Sequence, residues 1–324
     1  MFAIINFNCL QYKSFLIGFF LMKPLLIHPN NWTDYSLIDS GNGKKLEKFG
    51  PYTFSRPEPQ AIWPTRLKAE LWEKSSGSFL SSSSLDNEDN KGKWLIKNNV
   101  PGKWAMTFDK INFFATPTPF RHLGFFPDQS PHWVWAAKKI NQFISITNNI
   151  KKPKILNLFG YSGLASLHAA SYGASVTHVD ASRKAINYAF ENRNLSSFHK
   201  LPIKFITDDA VKFVNREIRR GNKYDGIILD PPKYGRGPNG EKWDLFNDLP
   251  LLLKCLPQIL SSNPIFIILN SYAIRSSHMS LHYGLSEVMR NYSGNVESGE
   301  ISIVEDQVNP RQISTAIFAR WENR

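Results

Sequence analysis

Residues 154–163 read Lys-Ile-Leu-Asn-Leu-Phe-Gly-Tyr-Ser-Gly, and this stretch decides the fold class of the chain. Its first half is a short apolar run, which is typical of a buried strand. Gly160 and Gly163 permit a tight turn and a close approach of the backbone, and the small residues after them predict a helix at 162–172. The N-terminus of that helix offers free N–H groups. The segment therefore predicts a strand, a turn that can face a ligand, and a helix, although such a turn can also serve only as a connection.

Strands and helices continue to alternate after this unit. Further strands are predicted at 175–179, 203–206, 224–229 and 265–269, helices at 183–195, 210–220 and 249–260, and a closing hairpin at 296–304 and 313–321. This order is typical of an α/β fold in which helices cover both faces of a parallel, doubly wound, Rossmann-like sheet with an antiparallel end.

The residues before this region predict a different organisation. Short alternating pieces separated by Gly, Pro and Asn turns indicate a small β-rich region over 22–127, with a mobile Ser-rich and acidic loop at 75–93. Residues 1–21 are apolar but lack a complete targeting or membrane-spanning pattern, so we interpret them as a dispensable leader ahead of a start at Met22. The catalytic domain is expected over 128–324.

Composition narrows the classes of function. The 324 residues contain two cysteines and eight scattered histidines, which predicts neither a disulfide framework nor a metal site. The 39 Lys and Arg residues outnumber 27 Asp and Glu residues, and the net charge of +12 favours a polyanionic partner or an anionic membrane surface. The absence of Gly-x-Gly-x-x-Gly in the turn argues against NAD or FAD.

Acidic residues follow the second and third predicted strands, where ligands of such sheets bind. Asp180 can accept hydrogen bonds from both hydroxyls of a ribose, and its rival role is to cap the next helix together with Ser182. In the pair Asp208-Asp209, one carboxylate is expected to cap the helix that starts at Ala210. The other would accept from an adenine amino group, and we assign this second role to Asp209.

The sequence Asp-Pro-Pro-Lys-Tyr-Gly-Arg-Gly-Pro, residues 230–238, follows the fourth strand. The two prolines fix the backbone where a carbonyl can face the cavity, Asp230 offers an acceptor, and Tyr234 offers a ring on which a base can stack. A rigid turn is the simpler reading, but the position after the fourth strand favours a binding role.

Together, the segments 157–163, 179–182, 209–213 and 229–234 resemble class I S-adenosylmethionine (SAM)-dependent methyltransferases. The nearest branch is similar to the ribosomal RNA large-subunit cytosine-C5 methyltransferases, and the resemblance extends from about Pro119 to the C-terminus. It includes the segment 124–129, Gly-Phe-Phe-Pro-Asp-Gln, which resembles the segment that covers the cofactor in that branch.

The resemblance implies SAM as the cofactor and a set of residues around it. This expected cofactor-binding set is Phe126, Gln129, Asn157, Phe159, Gly160, Tyr161, Ser162, Gly163, Asp180, Ala181, Ser182, Asp209 and Ala210. Phe126 and Gln129 would close over the ligand.

The chain departs from that branch at the residue that cytosine-C5 chemistry requires. Methylation at carbon 5 needs a cysteine thiolate to add to the ring. Where the cytosine-methylating relatives carry Ser-Cys-Ser, this chain has Asn-Ser-Tyr at 270–272. Cys9 lies in the leader, and Cys255 is predicted to lie within a leucine-rich helix. We therefore favour a nitrogen target, which can attack a methyl group directly.

A nitrogen target needs positioning residues. We expect Asp230 and the Pro231 carbonyl to hold the reacting edge and Tyr234 to stack the base, while Arg121, Lys233 and Arg236 contact phosphate. Eight Lys/Arg residues between 212 and 242 agree with nucleic acid, although those on the predicted helix at 210–220 can be only its solvated face.

The sequence thus predicts a cytoplasmic SAM-dependent methyltransferase of ribosomal or other structured RNA. Two alternatives remain open. A small-molecule or protein methyltransferase would be active without RNA, and a non-catalytic RNA-binding assembly factor would bind RNA without methylating it.

Overall fold

The computed structural model describes residues 23–81, 92–148, 150–272 and 274–324. The expected leader, residues 1–21, lies outside the described residues, as does the middle of the expected loop at 75–93.

Seven α-helices lie in the described part of the chain. They are α1 Ala69–Glu73, α2 Ser130–Ile146, α3 Leu164–Ser171, α4 Arg183–Leu195, α5 Ala210–Arg220, α6 Leu245–Cys255 and α7 His278–Met289. Two short 3-10 helices, Pro127–Gln129 and Leu256–Ile259, precede α2 and follow α6.

Seventeen strands belong to the same described residues. They are β1 Leu25–Ile27, β2 Tyr35–Gly41, β3 Lys44–Phe49, β4 Tyr52–Pro57, β5 Gly77–Ser81, β6 Gly92–Ile96, β7 Trp104–Phe108, β8 Ile111–Ala115, β9 Lys154–Leu158, β10 Ser175–Asp180, β11 Ile203–Thr207, β12 Gly226–Leu229, β13 Tyr234–Arg236, β14 Lys242–Asp244, β15 Phe266–Tyr272, β16 Gly294–Val304 and β17 Gln312–Asn323.

The central sheet has eight strands in the order β1-β16-β17-β15-β12-β9-β10-β11. The strands β9, β10, β11, β12 and β15 are mutually parallel, and β17 runs antiparallel between β15 and β16. The expected doubly wound sheet with an antiparallel end is confirmed. The strand order reverses at β9, whose neighbours are β10 and β12, so ligands are expected beyond the carboxyl ends of these strands.

Helices cover both faces of this sheet. Apolar side chains of α2 and α3 pack on one face, and those of α5, α6 and α7 pack on the other. Successive residues of β9 supply both layers, since Ile155 faces the first and Leu156 the second. This alternation explains why the strand is apolar throughout.

Three helices were not predicted from the sequence, namely the short α1 and the longer α2 and α7. Within α2, Trp133, Ala136, Ala137 and Ile140 are buried at the spacing of an amphipathic helix, a signal that could have been read. The helix α7 likewise buries Leu281, Leu285 and Met289, which are four residues apart and so lie on one face of the helix. The helix α6 begins four residues before the predicted position, because the Asp244 side chain caps it by accepting from Phe246 N and Asn247 N.

The N-terminal region is β-rich, as expected, with a five-stranded sheet in the order β2-β3-β4-β5-β6 and the hairpin β7-β8. The expected loop at 75–93 is too long: Gly77–Ser81 and Gly92–Ile96 pair as antiparallel strands. The rings of Phe79 and Trp94 contact each other across this pair of strands. This packing stabilises as strands two segments that the Ser-rich composition had indicated to be part of a loop.

The N-terminal strands are not a separate unit. The strand β1 extends the central sheet by pairing in parallel with β16, and one apolar cluster combines Phe49 and Phe54 with Trp133, Leu164 and Ile303. The expected boundary at 127/128 is therefore crossed by both a strand and a core. This packing fixes the segment 120–129 above the carboxyl edge of the sheet.

Candidate functional site

The turn after β9 has an unusual backbone. Phe159 and Tyr161 adopt positive φ angles of 59° and 45°, and Gly163 follows with a φ of 82°. Gly163 is the N-cap of α3, and no side chain caps this helix. Non-glycine residues with positive φ angles are uncommon and require support from their surroundings. Because no side chain caps α3, the backbone amides at the start of this helix are available to a ligand.

A Gly163→Ala substitution is expected to destabilise the protein by about 2–4 kcal/mol. Its Cβ would lie 2.7 Å from the Cβ of Ala189, and an alanine would be strained at this φ. Gly221→Ala is the matched control, because Gly221 has a φ of 66° but nothing within 4 Å of the added carbon. The control should lose only about 1 kcal/mol. Equal losses in urea unfolding would show that the contact with Ala189 is irrelevant.

Asp180 ends β10 and binds the neighbouring backbone. Its Oδ2 accepts a hydrogen bond from Tyr161 N at 2.9 Å, and its Oδ1 accepts from Ser182 N at 2.8 Å. Burial raises the pKa of this carboxyl above its usual range, and the two amides partly offset that effect. The alternative role considered for Asp180, capping of α4, is performed by the Ser182 side chain. Asp180 therefore ties the turn after β9 to the end of β10.

The two carboxylates after β11 have the opposite capping roles to those expected. Asp209 caps α5, because its Oδ1 accepts from Lys212 N at 2.9 Å. Asp208 instead forms an ion pair with Arg216. The N-cap must be the residue directly before the helix, which the sequence could not place between two adjacent aspartates. An adenine contact by the capping Asp209 stays a prediction.

Asp230 follows β12 and is partly buried. Its Oδ1 accepts a hydrogen bond from Asn270 Nδ2 at 2.7 Å, and Asn270 is 1% exposed. Desolvation raises the pKa of Asp230 to about 6; the Asn270 hydrogen bond opposes this shift, and the nearby Asp128 carboxylate adds to it. A carboxyl group with such a pKa can change its protonation state near neutral pH.

The residues after Asp230 form a short hairpin, because β13 pairs antiparallel with β14. Trp243 Nε1 donates to the Pro232 carbonyl at 2.7 Å, and the ring of Trp243 lies 4.8 Å from that of Phe159. Pro231 is buried, whereas Tyr234 is 61% exposed. The expected stacking platform is thus on the surface of the hairpin, close to Lys233, whose Nζ lies 5.3 Å from the Tyr234 ring centroid.

Aromatic residues cover the carboxyl edge of the sheet from the N-terminal side. Phe126 lies 5.9 Å from Tyr161 and 6.2 Å from Tyr272, measured between ring centroids. Arg121 donates to the Tyr272 hydroxyl, and its carbonyl accepts from Arg56 Nη1 at 2.8 Å. The segment that the resemblance assigned to the cover therefore lies beside the turn after β9, although its contact with a cofactor stays a prediction.

A cavity lies between this cover and the ends of β9, β12 and β15. It is lined by Phe126, Gln129, His132, Trp133, Asn157, Phe159, Gly160, Tyr161, Ser162, Leu164, Ala165, Ile228, Leu229, Asp230, Ile268 and Asn270. Eight predicted site residues belong to this lining: Phe126, Gln129, Asn157, Phe159, Gly160, Tyr161, Ser162 and Asp230. The other predicted residues lie outside it, namely Gly163, Asp180, Ala181, Ser182, Asp209, Ala210, Pro231, Tyr234, Arg121, Lys233 and Arg236.

Sequence reasoning missed two polar residues of the cavity, His132 and Asn270. His132 is 3% exposed, neither of its ring nitrogens has a hydrogen-bond partner, and burial lowers its pKa to about 3. His132 comes from the missed helix α2. Asn270 lies at the end of β15, where the rule that ligands bind beyond strand ends could have identified it.

Comparison with solved structures identifies the class of protein. A crystal structure of a SAM-dependent methyltransferase from Agrobacterium tumefaciens matches with a TM-score of 0.86 and 42% sequence identity, covering 93% of this chain and 94% of that one. The chain belongs to the SAM-dependent methyltransferases. The Rossmann-like methyltransferase fold expected from the sequence is thereby confirmed. A family model described as conserved hypothetical protein 95 matches residues 136–247 of this methyltransferase.

Curated relatives match part of the methyltransferase. Ribosomal RNA large subunit methyltransferase K/L of Shewanella frigidimarina is 35% identical over 128 residues, which are 39% of this chain and 18% of that protein. The homologue of the same name from Aeromonas hydrophila is 33% identical over 123 residues, 37% of this chain and 17% of that protein. The chain spans less than half the length of the curated relatives it matches.

Two further features bear on the expected partners and metals. No helix in the described residues has both the length and the apolar character needed to cross a membrane. Within the same residues, His, Cys, Asp and Glu side chains do not cluster as a metal site would require.

Proposed function

We propose that this methyltransferase transfers a methyl group from SAM to a base nitrogen in ribosomal or other structured RNA in the cytoplasm. The observation that carries the proposal is the pair of Asp230 and Asn270 at the cavity wall, next to the turn after β9. This pair offers acceptors for N–H groups and no thiol. The names of the curated relatives support RNA as the substrate.

The residues present fit the proposed cofactor. The uncapped start of α3 supplies backbone donors, the half-buried Asp180 ends the neighbouring strand with a carboxylate, and Asn157 and Tyr161 line the cavity. When bound, the cofactor supplies a methyl carbon whose bond to sulfur breaks as its bond to the substrate nitrogen forms. We infer that Asp180 binds the ribose hydroxyls, while Phe126 and Gln129 exclude water from the cavity.

The position of Cys255 supports a nitrogen target over carbon 5 of cytosine. Cys255 is the last residue of α6 and packs against the apolar cluster on the α5–α7 face. It is not among the residues that line the cavity. The segment 270–272, which ends β15 beside the cavity, contains no thiol to form the covalent adduct that activates carbon 5.

The charge distribution supports RNA more weakly than the sequence suggested. On α5, Arg216 pairs with Asp208, Lys212 with Glu241 and Arg220 with Glu217. These basic residues are largely neutralised by local partners. Arg236 is exposed on the same hairpin as Tyr234, and Lys233 directly precedes Tyr234. We therefore assign the phosphate contacts to Lys233, Arg236 and Arg121.

The test compares modified nucleosides of total RNA from cells with and without the gene. We expect one nucleoside methylated on nitrogen to disappear, and purified protein with SAM to restore it in RNA from the deletion cells. A normal RNA profile together with methylation of a small molecule or protein would contradict the RNA substrate. Loss of 5-methylcytidine would contradict the nitrogen target.

A Cys255→Ser substitution is expected to retain single-turnover methylation within about threefold, apart from a small loss of packing, because no covalent step is proposed. The measurement is the methylation rate of RNA from the deletion cells, together with the melting temperature of the variant. A stable protein–RNA adduct, or an inactive but well-folded variant, would restore the cysteine mechanism.

A further inference from the structure

The Asn270 side chain has one paired and one unpaired end. Its Nδ2 donates to Asp230 Oδ1 at 2.7 Å, whereas its Oδ1 is buried and has no hydrogen-bond partner. A buried amide oxygen without a partner costs free energy, and such atoms are rare in native proteins. Because Asn270 also lines the cavity, the unpaired oxygen indicates that a ligand completes its hydrogen bonding.

The orientation of the Asn270 amide follows from chemistry. An ionised carboxylate can only accept hydrogen bonds, so the amide must turn its NH₂ group toward Asp230. This leaves the amide oxygen, and not the nitrogen, directed away from Asp230. The free end of Asn270 can therefore accept a hydrogen bond but cannot donate one.

Asn270 lies on the side of the cavity opposite to the proposed ribose site. In the central sheet, β15 neighbours β12 on one side, whereas β10, which carries Asp180, lies beyond β9 on the other. Leu229 of β12 is in register with Leu269 of β15, so Asp230 and Asn270 follow at adjacent positions. The pair thus belongs to the part of the cavity left for the methyl acceptor.

His132 also lines the cavity, and its neutral imidazole carries one N–H donor. Neither of its ring nitrogens has a hydrogen-bond partner, so this donor is not bonded to Asn270 or Asp230. Asn270 and Phe318 are paired across β15 and β17, and the ring of His132 lies 5.0 Å from that of Phe318. His132 is neutral because burial lowers its pKa to about 3, and the nearby Asp128 has a raised pKa. Asp230 Oδ2 has no hydrogen-bond partner in the described part of the chain, so two acceptors face the same space.

We propose that Asn270 determines the target atom by accepting one N–H of an exocyclic amino group, while Asp230 Oδ2 accepts the other. Two adjacent acceptors fit the two hydrogens of an –NH₂ group, and a ring nitrogen that acts as a nucleophile through a lone pair has no hydrogen to offer them. When the amine nitrogen has gained its methyl group it carries one proton too many, and that proton passes to Asp230. This inference rests on the proposed RNA base methylation and narrows it to amino groups.

The experiment has two readouts. The first is the product of the wild-type enzyme with RNA from deletion cells, and we expect a nucleoside with its methyl group on an exocyclic amine. A ring-nitrogen product such as 7-methylguanosine would overturn this inference and leave the nitrogen proposal standing. Recovery of 5-methylcytidine would overturn both.

The second readout uses Asn270→Ala with Ser271→Ala as its matched control. Ser271 is 1% exposed, its hydroxyl has no partner, and as the next residue of β15 it points to the opposite face of the sheet. We expect Asn270→Ala to lower the single-turnover rate at least tenfold with SAM affinity unchanged, and Ser271→Ala to change neither. An unchanged rate in Asn270→Ala would refute the assignment.

The pH profile separates positioning from a general loss of structure. The Asn270 hydrogen bond favours the ionised form of Asp230, whereas Asp128 opposes it. Removing the bond should therefore raise the pKa of Asp230 and move the acidic limb of the rate profile to higher pH. Asn270→Ser is a second variant in case Asn270→Ala folds poorly, and an acidic limb that stays in place in folded variants would contradict the role.

Discussion

Asp230→Ala is expected to lower the single-turnover rate of methylation by roughly 100-fold or more, the range for loss of a positioned acid–base group. The carboxylate is held at the cavity wall by Asn270, and its removal leaves the reacting nitrogen without an acceptor. A nucleophile must approach to within roughly 3–3.5 Å, so misplacement is costly. Cofactor affinity should change by less than about threefold, because Asp180 and the start of α3 remain intact.

The control is Asp306→Ala, which removes an exposed carboxylate far along the chain from the cavity. It should retain the wild-type rate. Equal losses of rate and of SAM affinity in folded Asp230→Ala would show that Asp230 binds the cofactor and does not act on the substrate.

Asp230→Asn should separate activity from stability. The pKa of Asp230 is raised from 3.8 to about 6, so ionisation favours the unfolded chain and its cost appears as pH rises through this range. The cost of ionising Asp230 in the folded protein is at most about 3 kcal/mol at neutral pH. Solvent that reaches the carboxylate through the cavity reduces this cost. The asparagine still accepts from Asn270, so the variant should be inactive but more stable at pH 7. Urea unfolding at pH 7 and pH 4 measures the difference, which should shrink at pH 4.

Activity of the wild type should fall as pH drops below about 6. Protonation converts Asp230 from an acceptor into a group that carries its own proton, so it can no longer take one from the substrate. The rate profile of Asp306→Ala should show the same acidic limb. A limb that is absent from the wild type would contradict a role for Asp230 in accepting the proton.

Asp180→Ala is expected to weaken SAM binding by about 1–3 kcal/mol, the usual scale for a charged hydrogen-bonding partner. Two effects contribute. The ribose loses its proposed acceptor, and Tyr161 N and Ser182 N lose the oxygens that hold the turn after β9. Calorimetry with the demethylated product, S-adenosylhomocysteine, measures the total loss.

A cofactor analogue without the ribose hydroxyls separates these two effects. The wild type should bind this analogue more weakly than S-adenosylhomocysteine, whereas Asp180→Ala should discriminate little between the two ligands. If the variant discriminates as strongly as the wild type, Asp180 does not bind the ribose and acts only on the turn.

The sequence by itself determined the class of fold and the strand ends that form the site. Apolar runs such as 155–159 and amphipathic helices such as 210–220 are local patterns, because burial on both faces of a sheet or on one face of a helix sets the residue types directly. Ligands bind beyond parallel strand ends, so Asp230 could be placed at the cavity without knowing any contact.

Only the tertiary structure decided how these side chains are used. The sequence could not decide which of Asp208 and Asp209 caps α5, since the choice depends on the residue at which the helix begins. It also could not show that His132 reaches the cavity beside Asn270, because α2 is distant in the chain from β15 and meets it only through the packing of the helix on the sheet. Hydrogen-bond partners and burial depend on residues that are far apart in the sequence, and local sequence patterns therefore do not predict them.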